Sequence, residues 1–368
     1  MREAPYLGDV DLTAASVRGL EEPSPLRRVL RAAGPVVQVD APAGGRVWVV
    51  TEDSVARELL VHPGVVKDPG SAPTAWDRVG AGLEPTAADH PSLTTLDGPA
   101  HAEARRAHAP MFTAARIQEY TDHIRSVARE LLAALADEAD LVADFSVRFP
   151  LTVVLDLLGV PRSKVDEAKA ACGQLGLDQG DAIRRLLAVA GTAEGPGIAQ
   201  QLRQRMPDDT PDDEVTYYVL AMLVAGQITT DRSVGFVVAR HLSAPTDEPA
   251  AEFVRGVLRD HPAAPFGLWR FTTAEVDLGG VRVPAGAPIL AHTDGINETT
   301  ARDLTFGAGH HYCLGVHLAQ LELTVLVEVL RADYPDARLL VPGSELRQVM
   351  PGTIQGARVE TLPVRLRG

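Results

Sequence analysis

Apolar positions in the middle of the chain recur at helical spacing. Thr113 stands where a cap is needed, and Ile117, Tyr120, Ile124, Val127, Leu131 and Leu135 follow every three or four residues, which predicts one amphipathic helix. Further helices are predicted at about 146–158, 162–175 and 180–206, the last broken near Gly191–Gly197. Residues 211–242 open on Pro211-Asp212-Asp213-Glu214, an acidic first turn that complements the helix dipole. Most of the turns that follow are apolar all round, the pattern of a helix running through a protein interior. Helices at about 248–260 and Val316–Ala332 complete the set. Nearer the ends the period changes. Ser24 caps and Pro25 opens a helix that Gly34 stops. Arg46–Thr51 is β-branched and aromatic after two glycines and reads as a strand, followed by a helix from Ser54 to Val61. Strands return at Glu275–Val283 and Pro288–Ala291, and the last 30 or so residues alternate like short strands. No linker or internal repeat divides the chain, so the expected fold class is mainly α: a helix-rich single domain, residues 1–368, with small peripheral β-sheets.

Composition narrows this without naming a reaction. A chain of 368 residues buries a sizeable core without staples, and two cysteines, Cys172 and Cys313, cannot make a disulfide framework. With 35 basic against 49 acidic residues the net charge is −14, which argues against nucleic acid as a partner, since phosphate binding needs clustered Lys and Arg. The longest uncharged apolar stretch, Val215–Ile228, falls short of the ~20 residues that span a bilayer, so no membrane association is expected. The segment Met1-Arg2-Glu3-Ala4-Pro5-Tyr6 lacks the apolar core of a secretion signal, and a cytoplasmic location is expected.

Candidate chemistry concentrates in Phe306-Gly307-Ala308-Gly309-His310-His311-Tyr312-Cys313-Leu314-Gly315, directly before the last helix. Glycines let such a loop pass close to something flat, and a thiol at the entry to a helix is biased toward thiolate, the form that binds metal. One sulfur with no CxxC or His-x-x-His companion supports a four-ligand zinc site poorly. It suits a metal whose other ligands come from a planar macrocycle. The run resembles the cysteine-ligand loop of the cytochrome P450 family, Phe-Gly-x-Gly-x-His-x-Cys-x-Gly, and Phe306, Gly307, Gly309, His311, Cys313 and Gly315 match every fixed position. His101 and Arg105 resemble the family's His-x-x-x-Arg helix, whose side chains reach the haem propionates; at i and i+4 they share one helical face. Arg270, ahead of a strand pair, resembles a further propionate arginine, and His311 fills a similar role. Leu223-Val224-Ala225-Gly226-Gln227-Ile228-Thr229-Thr230 resembles the oxygen-binding helix. There Gly226 would permit a local opening of the hydrogen-bond ladder and Thr229 would supply the alcohol. Taken alone, a threonine in a buried helix more often bonds back to the carbonyl four residues earlier.

Three departures bear on function. The acid that normally precedes the threonine is absent, because position 228 is Ile. The Glu-x-x-Arg signature places its arginine at Arg259 and its glutamate at Gly256, with Glu252–Arg255 a second possible register. The chain between Ile289 and Phe306 is too short for the family's usual loop, with its Asn-Arg-Asp-Pro and second arginine. Segments near 176–210 and 240–250 also look abbreviated. The resemblance implies a haem-thiolate monooxygenase of the soluble bacterial type, with haem b (heme b, iron protoporphyrin IX) held by Cys313. It also implies a small organic substrate of secondary metabolism, contacted near 66–96 and 160–200, and electrons from a ferredoxin and ferredoxin reductase. Two other readings stay open at this point. One is peroxide-driven or other non-monooxygenase haem chemistry. The other is a non-catalytic P450-like partner that activates a glycosyltransferase.

Overall fold

The computed structural model describes residues 2–41, 44–78, 81–175, 179–350 and 355–368; parts of the loop at 66–96 and of the C-terminal strand region therefore lie outside the described residues. The chain forms two compact units, neither of them one continuous segment. The first gathers Met1–His101, Leu258–Cys313 and Val349–Ala357; the second gathers Ala102–Val257, Leu314–Gln348 and Arg358–Gly368.

The first unit is built on a six-stranded mixed sheet, in the order Tyr6–Leu7, Val36–Asp40, Arg46–Val50, Pro288–Ala291, Arg270–Thr272, Val65–Val66. Its central strands are buried on both faces, so alternate residues enter different cores. Val36, Val50 and Ile289 pack with Val55, Leu59 and Leu304, whereas Val37, Val49, Leu290 and Phe271 pack with Leu30, Trp76 and Trp269. Register fixes the chemistry at the sheet edge. Val65 lies opposite Thr272 and Val66 opposite Phe271. The same antiparallel register carried one residue further sets Lys67 beside Arg270. The predicted strand at Glu275–Val283 is a hairpin of Val276–Leu278 and Val281–Val283, turned by Gly279 and Gly280 at φ +60° and +80°, values that glycine adopts without strain.

The second unit is helical. Thr113 does cap, accepting a bond from the Arg116 N–H. The predicted helix that follows is two, Ala114–Gln118 and Thr121–Ala133, because Tyr120 at φ −88°, ψ 1° interrupts it. Apolar spacing of three and four continues across such a kink, so periodicity alone does not reveal it. Likewise the segment 180–206 divides into Gln179–Ala190 and Ile198–Arg203. Helix Arg148–Leu158 is preceded by a π-helical turn at Val142–Ser146. The long helix Asp212–Ser243 and the terminal helix Val316–Asp333 form the buried centre of this unit. Among the described residues no helix is long and apolar enough to cross a membrane.

Candidate functional site

Within the first unit, His101, Arg270 and His311 converge with two residues that sequence reasoning missed, Lys67 and Asp97. His101 and His311 lie ring against ring, centroids 4.1 Å apart. The Asp97 carboxylate is the organising acceptor: it takes the backbone N–H of Lys67 at 2.8 Å and of Asp68 at 3.2 Å, and His311 Nε2 lies 3.5 Å from its Oδ1. Burial pushes the Asp97 carboxyl up, but His311 and the two N–H donors outweigh it and hold the group below the usual range. The opposite ring nitrogen of His311, Nδ1, sits 3.2 Å from the Leu93 carbonyl. Burial, and then the Lys67 and Arg270 charges against the pull of Asp97, lower the His311 imidazole.

Lys67 and Arg270 are the costly members. They are 7% and 6% exposed, and burial pulls the lysine down to about 7 and the arginine down to about 10. Arg270 donates to the Leu268 carbonyl at 3.2 Å. Asp97 and Glu84 offset the lysine in part, yet Asp97 already serves three donors and Glu84 accepts from Ser92 and Thr94. Two buried cations and two imidazoles thus outnumber the carboxylates available to them. Such a donor set suits a guest bearing two carboxylates, as the haem propionates would, so the residues present fit the group. No sequence motif marks Lys67 or Asp97. Only the strand register and the fold of the 84–97 segment bring them in.

The cysteine loop belongs to the same unit. Gly307 and Gly309 both take φ +72°, and a Cβ on Gly309 would meet Val61 Cγ1 at 2.7 Å and the Leu60 carbonyl at 2.8 Å. The Cys313 N–H donates to the Phe306 carbonyl at 2.9 Å, closing the loop so that a half-buried sulfur stands three residues before the terminal helix. Gly315 is the residue before that helix, at an ordinary φ of −82°. Cys172 differs: it lies inside helix Val165–Gln174, and burial followed by Asp231 pushes its thiol up to about 12, an inert setting.

In the second unit the long helix runs unbroken through Gly226, so the local opening expected there is not formed. Packing explains the glycine instead, since a Cβ would come within 3.3 Å of Val154 Cγ2. The Thr229 hydroxyl donates to the Ala225 carbonyl at 2.8 Å. These two residues, one turn apart, are exposed in a helix otherwise mostly buried. Gln227 is 2% exposed, and its Oε1 finds no partner among the described residues. Arg105 lies one turn after His101 on helix Gly98–His108, half-buried.

In the Glu-x-x-Arg region the two candidate arginines differ in setting. Glu252 and Arg255 face solvent as an exposed pair 3.8 Å apart. Gly256 is exposed and a Cβ there would meet nothing within 4 Å. Arg259 Nε donates instead to the backbone carbonyl of Asn297 at 3.0 Å.

No family model matches the chain. Relatives and solved structures do. The cytochrome P-450 monooxygenase DoxA of Streptomyces sp. (strain C5) is 38% identical across 99% of both chains, and the 421-position match exceeds these 368 residues, so that relative carries segments absent here. The cytochrome P450 monooxygenase PikC of Streptomyces venezuelae is 28% identical, covering 97% of this chain and 94% of its own. The structure of CYP105P1 in complex with filipin I superposes with a TM-score of 0.85 at 26% identity, over 99% of each chain. With the cysteine loop intact and 38% identity maintained from end to end, the chain belongs to the cytochrome P450 monooxygenases, enzymes that carry haem and act on small molecules.

Proposed function

We propose that this P450 binds haem b through the Cys313 thiolate, works in the cytoplasm and oxygenates a small organic substrate of bacterial secondary metabolism with electrons from a ferredoxin and its reductase. The observation that carries this reading is the pairing, in one compact unit, of the closed cysteine loop with a buried cluster richer in cations than in carboxylates. Haem with a thiolate ligand supplies the electron-rich iron that favours O–O cleavage. Lys67, His101, Arg270 and His311 would neutralise and orient the propionates, with Arg105 kept among their partners on the family resemblance alone. Phe306, Gly307, Gly309 and Gly315 shape the loop to pass a flat face. The hydroxyl of Thr229 already spends its proton on the Ala225 carbonyl and offers its oxygen to a donor in front of the helix. Ile228 relays no proton, so water at the exposed Thr229 hydroxyl takes over that task. Residues 1–368 are read as one P450 domain, since the chain crosses between the two units five times, twice inside the helices Gly98–His108 and Ala250–Asp260.

The test is spectroscopic. Purified protein reduced under carbon monoxide is expected to show the red-shifted Soret band of a thiolate-ligated haem. Cys313→Ser is expected to abolish that band and Cys172→Ser to leave it intact. A band that survives Cys313→Ser would refute the ligand assignment.

A further inference from the structure

The family's glutamate and loop arginine are both missing, yet the segment before the cysteine loop is firmly held. Asn297, the last residue of helix Thr293–Asn297, is 1% exposed. Its Oδ1 accepts the Leu304 N–H at 2.7 Å, and its Nδ2 donates to Thr305 Oγ1 at 2.9 Å and, more weakly, to the Arg259 carbonyl at 3.5 Å. In return Arg259 Nε donates to the Asn297 carbonyl at 3.0 Å. Leu304 is fully buried, so its N–H would be stranded without the carboxamide. Its own carbonyl accepts the Gly307 N–H at 2.8 Å, at the start of the turn whose next residue bond joins Phe306 to Cys313. A continuous chain of hydrogen bonds thus runs from the end of helix Ala250–Asp260, through one carboxamide, to the backbone that presents the sulfur.

We infer that Asn297 is the positioning residue of the cysteine loop, an uncharged hub that does in this chain what a buried glutamate–arginine pair would otherwise do. The inference rests on the reading of Cys313 as the haem ligand. A carboxamide suits the task because it offers an acceptor and a donor at fixed geometry and brings no buried charge needing a partner. The residue touches no reacting atom; it acts through Leu304, Thr305 and the loop they start.

The experiment compares Asn297→Leu, which removes both side-chain bonds at similar volume, with Asn297→Asp, which keeps the acceptor for Leu304, and with Thr305→Val, which removes one bond without touching the hub. In Asn297→Leu, part of the Soret band of the reduced carbon monoxide complex is expected to move from the thiolate position to the position of haem that has lost its thiolate. Exchange of the Leu304 amide is expected to quicken by roughly ten- to a hundredfold. Asn297→Asp should retain more of the thiolate band than Asn297→Leu, and Thr305→Val should lose a smaller part of it. Full retention of the band in Asn297→Leu with unchanged Leu304 protection overturns the inference. If Asn297→Leu fails to fold, Thr305→Val decides: partial loss of the band supports the hub and an unchanged band overturns it. A wild-type protein without the band, or a Cys313→Ser variant that keeps it, condemns the ligand reading instead.

Discussion

The cysteine loop is secured from two sides by opposite means. On the His311 side stand Lys67, Arg270, His101 and one overworked carboxylate, Asp97; on the Leu304 side stands a single neutral carboxamide. Buried charge is tolerated only where it has a partner. The charged side therefore marks where an anionic guest belongs, and the neutral side marks where backbone alone must be held.

The comparison is broken most severely by removing a cation. Arg270→Leu is expected to weaken haem affinity of the apoprotein by roughly ten- to a hundredfold while leaving its stability unchanged or raised, since a buried charge is lost. Unchanged affinity in a haem titration would show that the cluster serves some other purpose. Lys67 sharpens the point through pH. Its folded value of about 7 lies below the ordinary 10.5, so across that window the unfolded chain holds a proton that the folded apoprotein lacks. Apoprotein stability should accordingly rise with pH through the window. Haem affinity should fall over the same range, by at most about tenfold per pH unit, because an anionic guest favours the protonated amine. Lys67→Met should flatten both profiles.

Glu322 extends the contrast to a buried acid with no charge to meet. It is 2% exposed in the terminal helix, its Oε2 has no partner among the described residues, and burial holds its carboxyl well above the usual 4.5, favouring the protonated form in the fold. The unfolded chain ionises there above pH 4.5, which costs the wild type stability as pH rises. Glu322→Gln should match the wild-type melting temperature at pH 4 and exceed it at pH 7. Equal melting temperatures at both would mean that Glu322 is ionised in the fold. The smallest effect is expected at the vacant glutamate position: Gly256→Ala should stabilise the exposed helix by about 0.5–1 kcal/mol in denaturant unfolding, with no change in the haem spectrum. A spectral change there would place position 256 back in contact with the loop's support.

Motifs whose members are close in sequence were legible directly. The spacing from Phe306 to Gly315 and the i, i+4 pair His101 and Arg105 can each be recognised as a motif within a few residues, because a tight loop or one helical turn dictates their geometry. Helices and strands were legible too, although kinks at Tyr120 and the hairpin at Gly279-Gly280 were not, since periodicity runs on through them. Arg259 is the arginine of the favoured Glu-x-x-Arg register, and only the fold shows that it holds the Asn297 carbonyl. Thr229 shows the limit from the other direction: the residue was found by its neighbours, and only the fold shows its hydroxyl back-bonded in a helix that does not open at Gly226.

By itself, then, the sequence determined the family's cysteine loop, the mainly helical class and the absence of the acid at position 228. Lys67, Asp97 and Asn297 became meaningful only in three dimensions. Lys67 meets Arg270 because two strands far apart in the chain share a register, and Asn297 meets Leu304 because a short helix folds back onto its own continuation. A lone lysine or asparagine carries no spacing to read. Its role comes from which polar groups burial leaves it to satisfy, and tertiary packing alone decides that.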